Sequence, residues 1–286
     1  MNKIFGFLTF VLLVSLTACK SSAEKKEEVQ RQTMKIVSTD GSLTEIIYDL
    51  GYGNEIVAAD VTSTFPEQVQ DKATLGHASQ MTAEGIISME PTHVIGFETS
   101  VKPDLVEQLK AAGITVTLLK RDYTVEGSKQ TVKSVAEWLG NAEKGNELIS
   151  KIEKDVQKLE KTENKPKVLF IYARGAGMMM VAGENTPMES FIELAGGQNA
   201  ISGFEQYKPL TPEAVIEANP DLILMFDSGV ESLNGPEAIF DIPGVKLTNA
   251  GKNRAYLTID GLLMSGFGPR VGEALRILNK KLVELK

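Results

Sequence analysis

The sequence predicts an α/β protein of two Rossmann-like lobes with mainly parallel sheets, joined by a long connecting α-helix, with a ligand cleft between the lobes. Three observations lead there. First, MTAEGIISMEPTHVIGF from Met81 and LTPEAVIEANPDLILMF from Leu210 align without a gap at an offset of 129 residues. Thr82, Glu84, Ile87, Pro91 and Phe97 recur as Thr211, Glu213, Ile216, Pro220 and Phe226. Second, short apolar runs alternate with capped helical runs in both halves, which is the pattern of a mainly parallel sheet. Third, residues 131–161 are rich in Glu, Lys, Ala and Leu, with apolar residues at helical spacing. A repeat this long is not a solenoid unit, and the interface of two α/β lobes is a common place for a small-molecule pocket.

The amino end comes first. Asn2 and Lys3 precede an apolar run from Ile4 to Leu16, closed by Leu16, Thr17, Ala18 and Cys19. The run is too short to be a stable membrane span and looks like a bacterial lipoprotein signal. Cys19 is the single cysteine of the chain. As the lipidated new amino terminus it has a purpose, whereas a lone thiol in an exported chain would be an odd remainder. An ordinary secretory signal with a coincidental cysteine is the other reading. Residues 1–19 are thus read as signal and lipidated cysteine, tethering the chain to the lipid bilayer of the cell envelope. Residues 20–33 are a polar, flexible tether with too little apolar content for a core.

The N-terminal lobe is read over 34–125. A strand over 35–38 leads through a loop to a helix over 43–50, capped by Ser42 and ended by Gly51. A short strand over 57–59 and a long irregular segment over 62–80 follow. Thr82 caps the next helix with Glu84 in its first turn, and Pro91 stops it. A buried strand over 93–97, a helix over 103–112 and a strand over 115–118 complete the lobe.

The connector spans 126–163, with Val132, Val135, Ala136, Leu139, Leu148, Ile149, Ile152, Val156 and Leu159 on one face. It is one long helix or, if Gly140 and Asn141 break it, two shorter ones. The C-terminal lobe, 164–286, repeats the plan with a strand over 168–172, a helix over 188–195, the second repeat copy and a final helix from Val271. It spends its extra residues on ARGAGMMMVAG from Ala173, whereas the first lobe spends them before Thr82. Such unequal loops are where ligand contacts belong.

A formal charge of -8 argues against nucleic acid as a partner, since phosphate binding needs a basic face. No nucleophile motif, phosphate loop or metal-hydrolase spacing is present, so the chain does not read as an enzyme. Two histidines in total argue against a zinc or manganese receptor.

DVTSTFPE from Asp60, LGHASQMTAEGI from Leu75, MVAG from Met180, LAGGQNA from Leu194, YKPLTPEAV from Tyr207 and GFGPR from Gly266 resemble the haem-binding proteins of bacterial ABC haem importers. Those belong to the group of substrate-binding proteins for haem, cobalamin and siderophores. The resemblance implies a tethered receptor that captures haem b, iron protoporphyrin IX, and passes it to an ABC permease dimer. A cobalamin or ferric-siderophore receptor is the alternative. It also implies that Glu84 and Glu213 are the carboxylates, one per lobe, that dock on permease arginines. Without it, both are first-turn residues favoured by the helix dipole.

At the position of His77 the resembled proteins usually carry a tyrosine that binds ferric iron, and their arginine two residues later is Ser79 here. A neutral imidazole is a common axial ligand to haem iron and needs no such cation. His93, in PTHVIGF, reads instead as a core histidine. From the C-terminal lobe, Met178, Met179 and Met180 offer polarisable contacts, with one thioether a candidate second axial ligand and two of the three read as packing residues. Tyr207 and Lys208 precede the second repeat copy and by pseudo-symmetry face His77. Lys208, Arg174 and Arg270 are candidates for pairing with propionates, or are ordinary surface cations. Met264 and Phe267 are further candidates for the cleft wall.

Overall fold

The computed structural model describes residues 34–285; the expected signal, Cys19 and tether lie outside them. The first sheet is five-stranded, in the order β3-β2-β1-β4-β5, from β1 (Ile36–Ser38), β2 (Ile56–Ala59), β3 (Ala73–Thr74), β4 (His93–Phe97) and β5 (Thr115–Leu119). Every pair in it is parallel. The strands are apolar because helices cover both faces. Helix α1 (Gly41–Asp49) starts two residues earlier than the sequence suggested, because Asp40 and not Ser42 is the cap. Its carboxylate accepts from the Ser42 amide at 2.9 Å. A Cβ on Gly41 would meet the Thr62 carbonyl at 2.4 Å, so only glycine lets the loop after β2 lie against this turn.

The repeat holds at the helix cap and at the strand that follows, although the first helix has five residues and the second seven. Helix α2 (Ala83–Ile87) is capped by Thr82, and the helix Pro212–Ala218 by Thr211. Each threonine hydroxyl accepts an amide hydrogen bond, from Gly85 at 3.1 Å and from Ala214 at 3.2 Å. Each helix leads to a buried parallel strand, β4 in the first sheet and Leu222–Phe226 in the second.

The connector is two helices, not one: after α3 (Pro103–Ala111) and β5 complete the first lobe, α4 (Val125–Trp138) and α5 (Ala142–Val156) follow. Gly140, at φ +73°, reverses the chain, and Asn141 caps the second helix. The two helices pack closely at Gly145, where a Cβ would lie 2.4 Å from that of Ala136. Val132, Val135 and Ile152 from this hairpin share one core with Ile46 and Ile47 of α1 and with Leu275 and Leu278 of the final helix. Fully burying each such side chain contributes about 1.5–3 kcal/mol, so the hairpin welds the backs of both lobes.

The second sheet runs β11-β10-β6-β7-β9, with β8 also on β6. Its strands are β6 (Lys167–Ala173), β7 (Met179–Ala182), β8 (Gln198–Asn199), β9 (Tyr207–Pro209), β10 (Leu222–Phe226) and β11 (Tyr256–Ile259). β6, β10 and β11 are parallel, but β7 is antiparallel to β6 and β9 antiparallel to β7. The segment read as a long loop, ARGAGMMMVAG, is thus a hairpin, whose short turn permits only antiparallel pairing. Helices α6 (Pro187–Leu194), α7 (Pro212–Ala218), α8 (Asp227–Ser232), α9 (Asn249–Asn253), α10 (Gly261–Ser265) and α11 (Val271–Glu284) complete the chain.

Candidate ligand cleft between the lobes

A cleft of about 750 Å³ is lined from both halves, chiefly by residues just past the carboxyl ends of parallel strands. Asp40 follows β1, Val61 and Thr62 follow β2, and Arg121 and Tyr123 follow β5; Arg174 follows β6, Ser228 follows β10, and Asp260 and Gly261 follow β11. This is the end of an open α/β sheet at which ligands bind.

The first wall is polar and braced. Asp40 accepts from the Ser42 hydroxyl at 2.5 Å and pairs with the Arg121 guanidinium through Nη2. Buried Asp60 accepts from Thr62 Oγ1 at 2.6 Å and Ser63 Oγ at 2.7 Å. Burial pushes its carboxyl up, against the lowering pull of those hydrogen bonds. Arg121 stacks 3.7 Å from the centroid of Phe97, and its Nε is buried without a hydrogen-bond partner. An unpaired buried N–H is costly, so the guanidinium is held here by its Asp40 pairing and its stacking on Phe97. Sequence reasoning missed Arg121; its signal was a cation three residues past the strand predicted over 115–118, at the strand end where ligands are held.

His77 lines the same wall. Its loop is fixed by Gly76, at φ +77°, whose carbonyl accepts from the Val61 amide at 3.0 Å. Among the described residues the imidazole has no hydrogen-bond partner, so both ring nitrogens are available. His93, by contrast, is half-buried, within 2.8 Å of the Thr92 hydroxyl and edge-on to Trp138 at 5.9 Å. Burial lowers its pKa.

The opposite wall is aromatic. Tyr172 stands edge-on to Phe226 at 6.2 Å, and both line the cleft. Arg174 lies 5.9 Å from the Tyr172 ring and has no carboxylate partner among the described residues. Tyr207 shares the sheet face of Tyr172 but lies outside the cleft lining, within electrostatic reach of Tyr123, which does line it. Its ring is partly exposed, yet desolvation at the phenol, and then Tyr123, push its pKa up to about 12.

Four candidates from the sequence do not converge here. Lys208 alternates with Tyr207 along β9 and points to the other face, its ammonium 4.5 Å from the Phe204 ring. Arg270 is spent on Glu45: Nε donates to Oε1 at 2.5 Å and Nη2 to Oε2 at 3.0 Å. Met264 is a core residue. Met178 is exposed outside the lining. Met179 packs into the core on the far face of the sheet, while Met180 lies opposite Tyr172. Phe267 is buried and supports Tyr123 edge-on at 5.4 Å. Glu84 and Glu213 sit far from this chemistry, exposed in the first turns of α2 and α7.

The family model described as periplasmic binding protein matches residues 36–261. The chain belongs to that family. The fold is similar to the periplasmic heme-binding protein RhuT from Roseiflexus sp. RS-1 in its apo form, at a TM-score of 0.83 and 36% identity, covering 88% of this chain and 98% of that one. The sequence is 28% identical over 257 residues to the ABC transporter substrate-binding lipoprotein YvrC of Bacillus subtilis, covering 87% of this chain and 80% of the relative. It is also 27% identical over 192 residues to the vitamin B12-binding protein of Vibrio campbellii, covering 66% of this chain and 69% of the relative. The two-lobe architecture read from the repeat is therefore that of the family.

Proposed function

We propose that this protein is an extracytoplasmic receptor that captures haem in the cleft between its lobes and hands it to the permease of an ABC transporter. The observation that carries the reading is His77: an imidazole without a hydrogen-bond partner among the described residues, on the wall of a cleft of about 750 Å³ whose opposite wall is aromatic. A flat apolar macrocycle fits between Val61 on one side and Tyr172 and Phe226 on the other, with His77 as axial ligand to the iron. Arg174, with no carboxylate partner among the described residues, and Arg121, which lines the cleft while pairing with Asp40, are the cations we assign to the propionates, since charge-assisted pairing suits both. Two of the cations first considered, Lys208 and Arg270, have no place in this arrangement.

Similarity to RhuT supports haem as the ligand. A second reading, a cobalamin receptor, is favoured by similarity to the vitamin B12-binding protein, and His77 could serve it too. In either case Cys19 is the proposed lipid anchor, and Glu84 and Glu213 the carboxylates that meet the permease dimer. Exposed ion pairs of that kind set register and encounter rate more than affinity.

The deciding experiment is a hemin titration followed by absorption, beside cyanocobalamin and beside His77→Ala. Haem capture through His77 gives a saturable Soret band that shifts or weakens in the variant. A wild-type protein that ignores hemin and binds cyanocobalamin would replace the first reading with the second. Equal hemin spectra from both proteins would keep the ligand and remove His77 from the iron.

A further inference from the structure

The repeat conserves an isoleucine as well as a glutamate, and folding accounts for neither isoleucine. In α2 the inward position is taken by Ile86, 1% exposed, while Ile87 is 40% exposed. In α7 the inward positions belong to Val215 and Ala218, while Ile216 is 43% exposed. Ile87 lies three residues after Glu84, and Ile216 three after Glu213, so each pair shares one outer helix face. Leu247, on the turn that packs against α7, is exposed as well. Large apolar side chains left in water at the same place in both lobes mark a surface that something covers.

We propose that Ile87 and Ile216 are paired apolar anchors of the docking face, seated beside Glu84 and Glu213 in a two-fold symmetric partner that offers a cation next to an apolar socket at each of two equivalent places. This rests on the reading of the chain as a receptor that delivers to a permease dimer, and adds what holds the complex once it has formed. Pseudo-equivalent helices present the same two chemistries twice, which matches an isologous pair of sites and no single-copy surface. Neither glutamate has a cationic partner among the described residues, so both remain free for an incoming cation. Their charge also argues against bare lipid as the occupant, because anionic headgroups would repel them. In such an arrangement the carboxylates steer and the buried apolar anchors hold, as aromatic and aliphatic side chains in desolvated pockets do at other interfaces.

The test uses the full chain with its cognate permease and ATPase subunits in lipid nanodiscs, association being followed by interferometry at two salt concentrations. Ile87→Ser and Ile216→Ser should each weaken binding about five- to tenfold, mainly through faster dissociation, with the salt dependence intact. Glu84→Lys and Glu213→Lys should mainly slow association and flatten that dependence. Ile87→Val and Ile216→Val should stay near wild type, and superimposable circular dichroism guards against misfolding. Hemin titrations should be unchanged in the serine variants. If the double serine variant binds the permease as wild type does while the double lysine variant does not, the apolar anchors are refuted and the receptor reading stands. If hemin never binds but the serine variants still lose the permease, the anchors stand and the ligand is wrong. Binding to empty nanodiscs that the serine variants abolish would overturn the proposal in favour of a lipid surface.

Discussion

Removing Arg270 separates two readings of one side chain. The sequence offered it to the ligand; the structure gives it to Glu45, 225 residues away, with two contacts between α1 and the start of α11. Glu45 is 3% exposed and Arg270 16%, so the pair is largely out of water. Burial pushes the Glu45 carboxyl up in spite of Arg270, whereas Arg270, with burial against its charge, is held above its ordinary value by Glu45. The two directions pull apart, and the doubly contacted geometry decides for an ionised pair. Taking one partner from such a pair costs about 3–5 kcal/mol, because the other charge stays buried and unpaired. The residual exposure of Arg270 and its stacking 3.8 Å over Phe65 place this case at the lower end, about 3 kcal/mol. At about 2–4 °C per kcal/mol for a unit of this size, Arg270→Met should lower Tm by about 6–12 °C. Glu45→Ala should do the same, and Glu45→Leu with Arg270→Met should recover most of the loss. Hemin affinity of the folded Arg270→Met protein should stay within about twofold of wild type, because the side chain is outside the cleft. Calorimetry and a hemin titration on the same samples read both quantities. A Tm within about 2 °C of wild type together with a tenfold loss of hemin affinity would refute the assignment and return Arg270 to the ligand.

Two further outcomes follow from the cleft and the connector. Arg121→Ala and Arg174→Ala should each weaken hemin binding about tenfold, a loss typical of one charge-assisted contact, whereas Lys208→Ala should leave it unchanged; titration of the three variants checks this, and an effect of Lys208 alone would reverse the assignment of faces on β9. His93, whose pKa burial lowers, binds its proton more readily unfolded than folded. Its contribution to stability is therefore complete above the ordinary histidine range of about 6.5 and is lost as pH falls through its depressed folded value. Denaturation followed by Trp138, the single tryptophan and 5.9 Å from His93, should show stability falling from pH 7 to 5, more weakly in His93→Gln; parallel curves would count against it.

Much of this protein is local in origin and was legible in the sequence. Thr82 and Thr211 cap their helices through contacts three residues away, and His93–Phe97 and Leu222–Phe226 are strands because their apolar runs suit a doubly covered sheet. The repeat gave two lobes. What the sequence left open depended on partners far along the chain. Whether Tyr207 or Lys208 faces the cleft is a matter of phase along β9, and β7 sets that phase by its register; alternation alone fixes which residues share a face, not which face is inside. Gly140 and Asn141 allowed one helix or two, and the close approach of Gly145 to Ala136 favours the hairpin. Arg270 looked like a free cation until α1 brought Glu45 to it, and Arg121 gained its place only where Phe97 and Asp40 enclosed it. Caps and strands follow from neighbours within a few residues; the use of a charge follows from which distant group removes its water, and only the tertiary structure decides that.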